Sequence, residues 1–175
     1  VSSIDWSPAE APFAITYNLR GQYDEIVFPN GQVRSHSYDL QGRPMQIATS
    51  HPVTGTIAEY AFGYDTDNAL QQPGMLGQRT SMVANVPQQG LTNALTKYYY
   101  DRNYQLTRVD YPSAAPFNSE IGAWTYDPAG NRLSESQNGV VLPYSYLSNS
   151  GGLPSSHTLV SDGLRSYSSD GNGSI

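Results

Sequence analysis

The chain has 175 residues, a length that suits one ordinary domain or one stretch of a longer repeat array. Its 16 Gly, 12 Pro and 14 Tyr against only 14% charged residues describe a turn-rich, aromatic polymer and exclude a helical globule. With a net charge of −6 and its nine basic residues scattered, it has no cationic stripe to neutralise phosphates, which argues against nucleic acid and anionic membrane as partners.

No run approaches the roughly 18 apolar residues of a membrane helix, and no charged-then-apolar start resembles a secretion signal. Cysteine is absent, which removes disulfides and thiolate metal sites and is compatible with an exported bacterial protein held by sheet pairing. The sequence opens on Val1 without a methionine and closes on Asp170-Gly171-Asn172-Gly173-Ser174-Ile175, so it reads as a fragment.

In chain order, residues 1–14 read as an incoming strand or linker, and from Ile15 to Ile175 one block recurs. It consists of an aromatic pair, Tyr-Asp or a variant, a short Gly/Asn turn, then Arg or Gln followed by apolar residues. The clearest copies are Tyr38-Asp39-Leu40-Gln41-Gly42-Arg43-Pro44-Met45 and Tyr126-Asp127-Pro128-Ala129-Gly130-Asn131-Arg132-Leu133. Weaker copies start at Tyr17, at Tyr64-Asp65 and at Tyr100-Asp101, and eroded ones at Tyr146 and Tyr167. Successive tyrosines are 21, 26, 36, 26, 20 and 21 residues apart, so the base unit is about twenty.

A unit of that length with a turn in the middle and another at its end leaves room for two strands of about six to eight residues, one β-hairpin. Longer separations are then loop insertions, the largest spanning 71–95, where Gln, Gly, Pro and Asn dominate. A second marker closes the other half-unit, in Val27-Phe28-Pro29-Asn30-Gly31 and Val109-Asp110-Tyr111-Pro112-Ser113.

Strand side chains alternate faces. Four anchor tyrosines, Tyr64, Tyr100, Tyr126 and Tyr146, therefore share a face with the aromatic two residues before them, Phe62, Tyr98, Trp124 and Tyr144. In-register hairpins would stack these rings into a ladder. The Asp or Asn after the tyrosine can bond backbone amides of the turn, and Gly42, Gly130 or Asn68 can take its positive φ. The Arg or Gln that restarts the strand, as Arg43 and Arg132 do, can lie over the rings.

These motifs resemble the YD repeat of Rhs proteins, Tc-toxin shell subunits and the teneurins, over roughly Ile15 to Ile175. The resemblance implies an all-β fold: hairpins of about twenty residues forming a continuous spiralling antiparallel β-sheet, a segment of a YD-repeat shell or barrel. In bacterial toxins such a shell encloses a C-terminal toxic segment, and in teneurins it belongs to an extracellular adhesion body. Family shells end in a DPxGL-like self-cleaving segment, which is not seen here. Asp127-Pro128-Ala129-Gly130 lies inside a repeat and reads as a plain turn.

Among candidate sites, His36, His51 and His157 have no paired metal-ligand spacing, and no G-x-S-x-G elbow or triad order appears. Asp65-Thr66-Asp67-Asn68 and Asp170-Gly171-Asn172-Gly173 look like the start of a calcium loop but lack the distal bidentate Glu. No cofactor, metal or catalytic residue is assigned. Asn172-Gly173-Ser174 is a glycosylation sequon. Tyr98, Tyr100, Trp124 and Tyr126 are candidate glycan contacts, since exposed rings on a β-surface stack on sugars.

The expected function is structural and non-catalytic: the wall of a hollow β-shell or an extracellular filament, in a secreted or cell-surface protein. Its expected partners are neighbouring repeats and, in a full-length parent, an enclosed toxin. The alternative is an adhesion or carbohydrate-binding module that uses the aromatic face.

Overall fold

The computed structural model describes residues 2–4, 13–64, 77–113, 121–148 and 154–168. Two units divide the chain, Val1–Lys97 with Pro112–Asn118, and Tyr98–Tyr111 with Ser119–Ile175. The first holds β1 (Ser2–Ile4), β2 (Phe13–Tyr17), β3 (Tyr23–Val27), β4 (Val33–Tyr38), β5 (Pro44–His51), β6 (Gly55–Tyr64) and β7 (Arg79–Val86). Strand β8 (Leu91–Tyr100) begins in the first unit and ends in the second, which continues with β9 (Leu106–Asp110), β10 (Ile121–Tyr126), β11 (Arg132–Gln137), β12 (Val140–Pro143), β13 (Ser145–Ser148) and β14 (Pro154–Ser161).

Among the described residues, β1 to β12 follow one another in the sheet in chain order, and β13 pairs with β14. The pairings are antiparallel, as expected where consecutive strands are joined by short turns. The fold is thus all-β, a sheet of consecutive hairpins.

Register sorts the side chains of the first unit onto two unlike faces. His36 lies opposite Ile47, Ile47 opposite Tyr60, Tyr60 opposite Ala84 and Ala84 opposite Ala94, a row dominated by apolar groups. One residue along, Ser35, Ala48, Glu59 and Asn85 form the corresponding row on the other face. The apolar row is where the core forms: Ala84, Val86, Leu91 and Ala94 are buried, with Ala58 and Tyr60 packed against them. Among the described residues of the second unit, the buried apolar side chain is Val109, 2% exposed.

The stretch 71–95, expected as a loop insertion, differs from that expectation wherever it is described. It carries all of β7, a 3-10 turn at Pro87–Gln89 and the start of β8. The reason is alternation: Thr80, Met82, Ala84 and Val86 point to the core side, and small residues with β-branched neighbours tolerate the pleat even where Asn and Gln dilute the pattern. Gly90, with φ of +69°, reverses the chain after Pro87-Gln88-Gln89. The N-terminal stretch 1–14 contains β1 and the first residues of β2, which starts at Phe13.

Candidate functional site: a ladder of tyrosine-aspartate turns

Tyr17, Tyr38, Tyr64, Tyr100 and Tyr126 are the last residues of β2, β4, β6, β8 and β10. After four of them the chain makes the same five-residue turn. Asp39 N–H donates to the Arg43 carbonyl at 3.0 Å, and Gly42 N–H donates back to the Asp39 carbonyl at 3.0 Å. The Asp39 Oδ1 atom accepts the N–H groups of Gln41 and Arg43 at 2.9 and 2.8 Å. Asp127 repeats this with Ala129 and Asn131, Asp101 with Asn103 and Gln105, and Asn18 with Arg20 and Gln22. One side-chain oxygen therefore serves two amides that the turn would otherwise leave unpaired.

The second carboxylate oxygen closes the turn from outside. Asp39 Oδ2 accepts Arg43 Nε at 2.6 Å, and Asp127 Oδ2 accepts the Asn131 amide at 2.8 Å. For Asp39, partial desolvation pulls the carboxyl upward, but the Arg43 side chain and the backbone donors outweigh it and hold it below its ordinary value. At Asp127 the Asn131 side-chain amide is the main cause of the same depression, with backbone N–H groups adding to it.

What turns this motif into a site is its reach across one repeat. Gln22 Nε2 donates to the Gly42 carbonyl at 2.8 Å, and Arg20 Nη1 donates to the Leu40 carbonyl at 2.6 Å, each bridging 20 residues of sequence. The anchor hydroxyls bind in the opposite direction. Tyr64 Oη donates to the Pro44 carbonyl and Tyr126 Oη to the Leu106 carbonyl, both at 2.8 Å and both 20 residues back. Burial pushes the Tyr64 phenol up, which keeps that hydroxyl protonated as a donor.

Glycine at the fourth turn position answers two demands at once. Gly42 and Gly130 have φ of +84° and +90°, and a Cβ on either would lie 3.2 or 3.1 Å from the amide nitrogen of Gln22 or Gln105. In the turn after Tyr100 the same place is filled by Tyr104 at φ +64°, a left-handed conformation that a bulky side chain adopts at a cost.

Above the turns, arginine meets aromatic. The Arg43 guanidinium lies 4.4 Å from the Tyr64 ring centre, Arg79 5.5 Å from Phe62, and Arg108 5.4 Å from Tyr99. Arg132 lies between Trp124 at 5.8 Å and Tyr144 at 5.6 Å. Ring-on-ring contacts join Phe13 to Phe28 and Tyr17 to Tyr23, so the described residues carry both ring-on-ring and guanidinium-on-ring contacts. Exposed cation–π pairs of this kind contribute about 0.5–1 kcal/mol each.

The two eroded copies depart from the pattern. Tyr146 lies inside β13 opposite Leu159, and Tyr167 follows its aspartate, with its hydroxyl 2.6 Å from Asp162 Oδ2. Asp65, Asn68, 170–173 and hence the Asn172 sequon lie outside the described residues.

Tyr98, Tyr100, Trp124 and Tyr126, the candidate glycan contacts, are all half-buried. Trp124 is folded back over Gly122, where a Cβ would meet its ring at 2.8 Å. His51 Nε2 lies 3.1 Å from the Asn30 carbonyl, and the His36 ring is 6.2 Å from that of Tyr23. His157 is in β14. Among the described residues no three His, Asp or Glu side chains converge as a cation site. The cross-repeat donors Arg20 and Gln22 were not singled out by sequence, although their 20-residue offset from Leu40 and Gly42 was there to find.

No protein-family model matches the chain, and no curated protein does. Solved structures share its fold. A Tc holotoxin pore of Photorhabdus luminescens with a mutated TccC3 matches at a TM-score of 0.60 and 19% identity, covering 76% of this chain and 7% of that one. A crystal structure of TcdB2-TccC3-TEV matches at 0.59 and 19%, again over 76% of this chain and 7% of its own. The chain thus spans about 7% of the length of those toxin-complex chains, and at this identity the likeness is one of fold.

Proposed function

We propose that the chain is a wall segment of an exported YD/Rhs-type protein, a non-catalytic stretch of sheet whose work is to hold a continuous β-surface together. The observation that carries this reading is the 20-residue bonding interval, met at Arg20, Gln22, Tyr64 and Tyr126. Bonds at one offset tie hairpins to their neighbours at these places, the arrangement of a quasi-one-dimensional repeat array. The toxin-complex fold and the Tyr-Asp motif support a closed shell over a filament, with neighbouring repeats as the partners and an enclosed toxic segment as cargo of the full-length parent.

Electron microscopy of the native material, with the intact polypeptide length from mass spectrometry, tests this. The expected outcome is a chain far longer than this segment forming a closed hollow particle. Long fibres built from a polypeptide of 175 residues would sink the shell reading and favour the filament.

A further inference from the structure

Among the described residues, β12 ends the sheet and has an outer edge that ought to invite trouble. Tyr144 N–H donates to the Leu133 carbonyl, which fixes the inward-facing residues of the strand by alternation. Leu142 and Val140 bond toward β11, so the backbone groups of Val141 and Pro143 point outward. The segment Val140-Val141-Leu142 is apolar with two β-branched valines, and Val140 and Val141 are 67% and 60% exposed. Such an edge is a template for another chain.

Two features stand against pairing there. Pro143 has no N–H to offer. The second feature is Gly163. Ser145 pairs with Ser161, and continuing that register by two residues sets Gly163 opposite Pro143. A Cβ on Gly163 would lie 3.0 Å from the Pro143 carbonyl oxygen, 3.1 Å from Leu142 Cβ and 3.2 Å from Leu142 Cα. Only glycine seats that closely, and its φ of +84° suits glycine as well.

The turn that carries it is braced. Asp162 Oδ1 accepts the N–H groups of Leu164 and Arg165 at 2.9 and 2.7 Å, Asp162 Oδ2 accepts the Tyr167 hydroxyl, and Gly163 N–H donates to Ser161 Oγ at 3.1 Å.

We propose that the Gly163 turn is an edge guard, which blocks strand pairing between the outer edge of β12 and the same edge of a second copy of this chain. The occupant it excludes is a second copy because Val140-Val141-Leu142 is a short run without charge, able to pair with its own antiparallel image. The inference stands on the geometry of β12 and not on the wall reading.

Sedimentation velocity over a concentration series tests it with two variants of the 175-residue chain. Gly163→Val removes the seat and is expected to shift the weight-average mass toward dimers and larger species at concentrations where the parent does not shift. Adding Val141→Lys places a charge on the same edge and is expected to return the parent profile. An unchanged profile for Gly163→Val overturns the proposal. So does association that persists in the double variant, since it would then arise from misfolding or another surface.

Discussion

The hydroxyl separates tyrosine from phenylalanine in this repeat. The rings of Tyr64 and Tyr126 pack as any aromatic would, but their Oη atoms each donate to a carbonyl one repeat back, at Pro44 and Leu106. Removing a half-buried donor of this kind costs about 1 kcal/mol. Tyr64→Phe and Tyr126→Phe are therefore each expected to lower the unfolding free energy by about that amount, read from urea midpoints at unchanged slope. Unshifted midpoints would mean that the ring alone is the anchor. Tyr104 presents the opposite case, a residue whose backbone works against it at φ +64°. Tyr104→Gly is expected to raise stability by about 0.5–1 kcal/mol, the relief of left-handed strain less the entropy that glycine loses on folding. A lower midpoint would show that contacts of the Tyr104 side chain outweigh the strain.

The turn is the element that repeats, and its aspartates tie its stability to pH. Asp39 and Asp127 titrate below their ordinary value, as does Asp162, where the Tyr167 hydroxyl is the main cause. A carboxyl depressed in the folded chain binds fewer protons there than in the unfolded chain, whose value is about 3.9. Its stabilisation is complete above about pH 5 and is lost as the pH falls through the folded value. Asn18 shows that an amide oxygen can accept the same two N–H groups. Asp39→Asn and Asp127→Asn are accordingly expected to keep the turn, lower stability at neutral pH and flatten the acid limb, so that variant and parent converge in acid. Urea unfolding measured across pH decides this, and a variant that keeps the parent slope would place the acid sensitivity elsewhere. This element was also the most legible in sequence: Tyr-Asp, glycine and Arg or Gln each occupy their place because the turn needs an acceptor, a left-handed residue and a long donor. The span 71–95 was less legible because turn-forming residues outweigh a strand pattern that only its neighbours in the sheet bring out.

At the scale of the whole molecule the core is thin. Among the described residues the buried apolar side chains are Ala84, Val86, Leu91, Ala94 and Val109, mostly small. Exposed apolar groups are common by comparison, with Leu19, Leu40 and Val53 standing almost fully in solvent on turns. Stability in such a sheet comes from pairing, turn closure and Arg-aromatic contacts summed along the chain. Hairpin organisation was readable in the sequence because the turn carries its own chemistry. The inward face was not, since a one-residue shift of register exchanges His36, Ile47 and Tyr60 for Ser35, Ala48 and Glu59, and only the observed pairing fixes the choice.

Between the turns at 18–22 and 39–43 the side-chain bonds run forward, for Gln22 and Arg20 give while Gly42 and Leu40 receive. The second of these turns presents two carbonyls to the repeat before it. Excision of one whole hairpin would therefore bring a giving side chain against an equivalent set of carbonyls, whereas excision of a single strand would reverse every later strand and take the next turn away from that partner. A chain built this way is expected to keep its seam when lengthened or shortened by two strands and to lose it at a step of one.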